Sequence, residues 1–138
     1  MTKSLSRKDN HRKSLLRNLA TSLILYEEIK TTKTKAQAVK PIVENLILTA
    51  KKSTRKEMTK RRLLKIFFDK NATKKVLDVL VPRYQQDETG IVQVYKIGPR
   101  SGDNASMVIL KLKTKETTKI KSEKEQEDKN GKVTKSRD

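Results

Sequence analysis

The sequence predicts an α/β two-layer sandwich in the order helix–strand–helix–helix–helix–strand–strand, with a small sheet covered on one face by helices. Three observations predict it. Apolar residues recur at the helical period over 15–24 and again over 39–50. Three short runs, EIKTT, IVQVYKI and SMVILKLK, concentrate the residues that favour strands. The composition breaks after Lys113, where the aliphatic residues nearly stop.

Helix one is expected over about 14–26. Leu15, Leu16, Leu19, Ala20, Leu23 and Ile24 form one stripe, while Arg12, Lys13, Arg17 and Asn18 fall off it near its start. Cations at a helix N-terminus oppose the macrodipole by about 0.3–1 kcal/mol each. A chain that accepts this cost is expected to turn them toward an external anion. A short strand follows over 28–32, alternating and ending in β-branched residues.

Helix two is expected over about 36–51, with Val39, Ile42, Val43, Leu46, Ile47 and Ala50 on one face. Thr34-x-x-Gln37 fits a capping box. Pro41 either lies inside the helix and kinks it or stands at its first turn. Helix three is expected after a second capping box, Thr54-x-x-Glu57. Its apolar side holds Leu63, Leu64, Phe67 and Phe68, and Arg61, Arg62 and Lys65 crowd the other. Helix four is expected over about 72–80, with Pro82 stopping it. Strands over 91–97 and 106–113 close the fold, joined by the glycine- and proline-containing stretch 98–105.

The chain has 138 residues, 33% hydrophobic and 36% charged. Typical domains hold about 45–50% apolar and about 25% charged residues, so the core here is small or part of the chain has none. Residues 1–113 are read as one folded domain with a short basic N-terminal arm. Residues 114–138 are read as a charged, disordered tail, since Ile120 and Val133 are its only aliphatic residues. Of the net charge of +18, the body carries +16 and the tail +2. A polyanion is therefore expected to meet the body. The first 25 residues have the basic, acid-poor character of a transit peptide, but they also carry the strongest core pattern, which cleavage would remove.

No cysteine is present and His11 is the only histidine, which excludes disulfides, thiol catalysis and any site needing two imidazoles. No phosphate-cradling glycine run, zinc-protease helix or nucleophile elbow occurs. Glu27 and Glu28 are adjacent, diverge on any regular element, and read as a solvated rim. Nothing suggests a cofactor, a metal, a membrane or a small-molecule substrate. Nothing reads as a helix-turn-helix or a minor-groove wedge, which argues against a DNA-architectural role.

The basic residues carry the signal. They fall in four clusters: Arg7, Lys8, Arg12, Lys13 and Arg17 with His11; Lys30, Lys33 and Lys35; 51–65, with Arg61 and Arg62; and Arg83, Lys96 and Arg100. Aromatic residues are few. Phe67 and Phe68 read as core, and Tyr84 beside Arg83 is a candidate for stacking on a base. Recognition is therefore expected through shape and phosphates rather than a base-reading platform.

HRKSLLRNLATSLILYEEIKTT (11–32), PIVENLILTAKK (41–52), PRY (82–84) and KIGPRSGDNASMVILKL (96–112) resemble, in order and without large gaps, segments of the bacterial large-subunit ribosomal protein seventeen family. The resemblance covers about 7–112. It implies the same element order and a structural, non-enzymatic constituent of the large ribosomal subunit in the bacterial cytoplasm. It further implies binding to large-subunit ribosomal RNA beside neighbouring ribosomal proteins, near the mouth of the peptide exit tunnel. The RNA-facing set that it implies comprises His11, Arg12, Arg17, Asn18, Thr31, Thr32, Lys35, Arg83, Tyr84 and Arg100. The charge clusters add Lys13, Arg61, Arg62 and Lys96. Asp103 is expected to organise its loop rather than to touch RNA.

Overall fold

The computed structural model describes residues 5–53 and 55–114. The first helix, α1, spans Asp9–Tyr26, starting five residues earlier than the apolar stripe alone suggests. Asp9 lies in its first turn, where a carboxylate favours the helix dipole, and it pairs with Arg12 at 2.9 Å. Arg12 and Lys13 therefore sit past the exposed N–H groups of the terminus, so the dipole penalty expected of them does not apply. His11 lies in the first turn of this helix. Ala20, Thr21, Leu23 and Ile24 are buried, and Leu16 and Leu19 pack beside them.

The chain reverses at Glu27, which takes a left-handed φ of 60° while its N–H donates to the Leu23 carbonyl at 2.9 Å. Strand β1, Glu28–Thr32, follows with the bounds expected of it. Helix α2, Lys33–Lys52, starts directly after Thr32. Thr34 thus lies within its first turn, and the expected capping box does not form the terminus. Pro41 lies inside α2. The helix tolerates the missing N–H because Ala36, Val39, Val43 and Ile47, on both sides of the proline, are fully buried and hold the segment in place.

Helix α3, Lys56–Leu64, is preceded by Arg55, which makes no side-chain cap; Thr54 of the second expected capping box lies outside the described residues. Leu63 and Phe67 enter the core, but Phe68 is 60% exposed. The helix has ended by then, so helical spacing no longer assigns residues 65–69 to a face. Helix α4, Lys70–Lys75, is capped by the Asp69 carboxylate, which accepts from the Asn71 N–H at 2.7 Å. It continues through one π-helical turn, Val76–Leu80, and a last α-turn, Val81–Arg83. Pro82 does not stop this helix. The widened turn lies just before it, where a proline ring would otherwise meet the carbonyl of the preceding turn.

Strands β2, Val92–Pro99, and β3, Ser106–Leu112, form the hairpin. Gly98 and Pro99 belong to β2, so the connecting loop is shorter than expected. A register shift between Lys96 and Gly98 bulges the strand there, and Gly98 takes φ 119°. The sheet order is β1-β3-β2, antiparallel throughout. Val108, Leu110 and Leu112 of β3, with Thr31 and Val92 alongside, are buried under the helices, whereas Glu28, Lys30 and Tyr95 on the other face are exposed. One covered face and one open face are what a two-layer sandwich requires. The Glu44 carboxylate of α2 accepts from the Val92 N–H at 3.2 Å and ties helix to sheet. The expected tail lies, apart from Thr114, outside the described residues.

Candidate nucleic-acid interface

The fold divides the cations into two populations. In the first, each cation meets a carboxylate. Glu27, at the α1–β1 junction, accepts from both terminal nitrogens of Arg83 at 2.7 and 3.3 Å and from Lys75 Nζ at 2.9 Å. Lys75 also donates to the Leu25 carbonyl at 2.9 Å. These side chains are only about a quarter exposed. The Arg83 hydrogen bond, acting against desolvation and with help from Lys75, holds the Glu27 carboxyl below its ordinary pKa. Glu27 is thus a junction between α1, α4 and the turn at Arg83, and the solvated-rim expectation holds only for Glu28, which pairs with Lys111 at 3.2 Å. Lys113 pairs with Asp87 and Arg12 with Asp9.

Arg100 pairs with Asp103 across the hairpin loop, at 3.0 and 2.5 Å. This bond and the Ala105 N–H bring the Asp103 pKa down to about 2. Asp103 does organise its loop. Both side chains are about half exposed, so the pair fixes a local shape without anchoring the fold.

The second population has no carboxylate partner among the described residues. His11, Lys13, Arg17 and the amide Asn18 are exposed along α1. Arg61, Arg62 and Lys65 are exposed on and just after α3. Arg17, Arg62 and Lys65 are brought together around one cleft, where α1, α2 and α3 meet. The Arg17 guanidinium also lies over the exposed ring of Phe68, 5.7 Å from its centroid. Phe68 is the site residue that sequence reasoning missed, because its apolar character read as core. A third group lies at the hairpin end of the sheet. Thr32 pairs with Met107 and Met107 with Gly98, which puts the start of α2, with Lys35, at the same end as the loop carrying Arg100. Exposed Lys96 stands beside it on β2.

Two expected contact residues are not at the surface. Tyr84 is 1% exposed, with its hydroxyl donating to the Lys113 carbonyl at 2.7 Å and its pKa raised by burial. Its ring faces the core rather than an unpaired base. Thr31 is 7% exposed, because strand alternation turns it toward the helices while Thr32 faces outward. Arg83 is held by Glu27 and lies 6.0 Å from the Tyr84 ring. Among the described residues no group of His, Asp or Glu could hold a metal ion, and no helix is long and apolar enough to cross a membrane.

A family model described as ribosomal protein L17 matches residues 15–113. Large ribosomal subunit protein bL17 of Endomicrobium trichonymphae is 45% identical over 105 residues, 76% of this chain and 88% of that protein. The bL17 protein of Elusimicrobium minutum is 39% identical over 110 residues, 80% of this chain and 92% of its own length. That of Petrotoga mobilis is 40% identical over 121 residues, 83% of this chain and 94% of its own.

Proposed function

The chain belongs to the ribosomal protein L17 family, and from that premise we propose that its body, residues 1–113, binds folded large-subunit ribosomal RNA through the cations that no carboxylate neutralises. The family gives it a structural role in the large ribosomal subunit, in support of translation. The three relatives named above are bacterial proteins, which fits a bacterial ribosome in the cytoplasm. The finer reading is the RNA contact itself, beside neighbouring ribosomal proteins and near the peptide exit tunnel. In this reading the protein is a scaffold and not an enzyme.

One observation carries the reading. Lys13 and Arg17 of α1 and Arg61 and Arg62 of α3 are exposed and lack carboxylate partners among the described residues, in a chain of net charge +18. Such a surface is disfavoured in isolation and is stabilised by phosphates. His11, Lys13, Arg17, Asn18, Arg61 and Arg62 form the first contact surface. Thr32, Lys35 and Lys96 form the second, at the hairpin end of the sheet, joined by Arg100, whose pair with Asp103 lies at an exposed loop. Arg12 and Arg83, paired and mostly buried, contribute less.

Counterion release supplies the test. Each phosphate contact contributes roughly 0.7–0.9 to the slope of log affinity against log salt. Changing both Arg17 and Arg62 to Ala is expected to flatten the slope for large-subunit ribosomal RNA by roughly 1.5–2. Changing tail Lys119 and Lys121 to Ala is expected to leave it nearly unchanged. Equal losses from both double variants would overturn the assignment to the body. Failure of the protein to co-sediment with large subunits through a high-salt wash would overturn the RNA reading.

A further inference from the structure

The cleft between α1, α2 and α3 has the composition of a nucleobase site. Its floor is aliphatic, built from Leu46, Ala50, Leu63 and Ile66, and its volume is about 410 Å³. Arg17, Arg62 and Lys65 rim it, and no carboxylate lines it. A second, smaller compartment of about 240 Å³ adjoins it and shares Thr49, Thr59 and Arg62 with it; Ser53 and Arg55 line that side. An apolar chamber thus opens through Arg62 into a mixed one, where Arg55 and the hydroxyls of Thr49, Ser53 and Thr59 stand beside Met58. A nucleotide has the same division, with a flat apolar face on the base and a charged phosphate one ribose away. Phe68, exposed under the Arg17 guanidinium, adds an aromatic ring beside the rim.

We propose that this groove takes an unpaired nucleotide of the bound RNA, its base on the Leu46–Leu63–Ile66 floor and its phosphate at Arg62 and Arg55. The proposal rests on the RNA reading and goes beyond it, since contact by shape and phosphate alone needs no apolar chamber. Charge decides between occupants. A neutral or basic protein segment would leave three rim cations facing an apolar contact with nothing to neutralise them, whereas a nucleotide brings its own anion.

Methyl-labelled full-length protein titrated with an oligoadenylate, an abasic oligoribonucleotide of equal length and a fully paired duplex tests this. A docked base shifts the Leu46, Leu63 and Ile66 methyl resonances upfield by its ring current; the abasic strand and the duplex leave them in place. The intact strand is expected to bind roughly tenfold more tightly than the abasic one. Phe68→Ala and Arg62→Gln, both at exposed side chains and so compatible with folding, are each expected to narrow that preference. Equal affinity for intact and abasic strands with unmoved methyls overturns the cleft assignment and leaves RNA binding standing. Failure of the protein to bind any of the three probes, or large-subunit ribosomal RNA, at low salt overturns the underlying reading instead. Methyl shifts produced only by other large-subunit proteins would make the occupant a protein side chain and would also overturn the proposal.

Discussion

Two regions of this molecule are rich in the same residue types and use them in opposite ways. At the α1–β1 junction, Lys75 and Arg83 converge on Glu27, all three side chains only about a quarter exposed. At the cleft between α1 and α3, Arg17, Arg62 and Lys65 converge with no carboxylate among the lining residues. The first set closes the fold; the second leaves charge for something outside it. A tally of basic residues along the chain does not separate them, since it counts Lys75 and Arg83 in the same way as Arg17, Arg62 and Lys65. The presence of a carboxylate partner does, and under the proposed function it gives stability to one region and affinity to the other.

The strongest test of that division is Glu27→Gln. It leaves Arg83 and Lys75 partly buried without their counter-charge, which is expected to cost about 2 kcal/mol in a urea titration. RNA affinity per folded molecule is expected to stay the same. A loss of affinity without loss of stability would erase the distinction between the regions. The acid limb sharpens the point. The Glu27 carboxyl has a folded pKa below its ordinary value of 4.5, so between the two values the unfolded chain binds more protons. Its stabilisation is complete above about pH 4.5 and is lost as pH falls through the lowered folded value. The variant should show a shallower decline in urea midpoint between neutral pH and pH ~3.

Tyr84→Phe comes next in size. The hydroxyl reaches the Lys113 carbonyl from inside the core. Removing it is expected to cost about 1 kcal/mol by urea titration and to leave RNA affinity unchanged. A fall in affinity with no change in stability would return Tyr84 to the surface as a stacking residue.

How far these regions could be read from the chain depends on the range of the contacts that build them. Local periodicity places α2 and its buried stripe, and the bounds of β1, because each follows from the spacing of neighbouring residues. It misplaces the end of α4, since whether Pro82 stops a helix depends on the turn before it, and here that turn widens. Glu27 and Arg83 are 56 residues apart, so no window of sequence shows that they meet. The candidate site divides the same way. Arg17 and Arg62 are visible as basic residues, but their sharing of one cleft is a product of how α1 and α3 pack on α2. Tyr84 and Thr31 enter the contact set through a family resemblance, which carries no information on burial. Phe68 leaves the core because α3 ends four residues before it.

The smallest effect is expected where pairing occurs without burial. Arg100 and Asp103 form a bidentate pair like that of Arg83 and Glu27, but about twice as exposed. Arg100→Ala is expected to leave the urea midpoint in place, because an exposed pair of this kind is screened and held at an entropic cost. The local effect is still measurable. The Asp103 carboxyl resonance is expected to titrate with a pKa of about 2 in the parent and to move toward 3.8 in the variant. RNA gives the discriminating result. If phosphate draws the Arg100 guanidinium away from its carboxylate, saturating RNA raises the Asp103 pKa in the parent and leaves it unmoved in the variant. An Asp103 pKa that stays at about 2 with RNA bound would show that this pair, though exposed, belongs with the Glu27 junction and not with the binding surface.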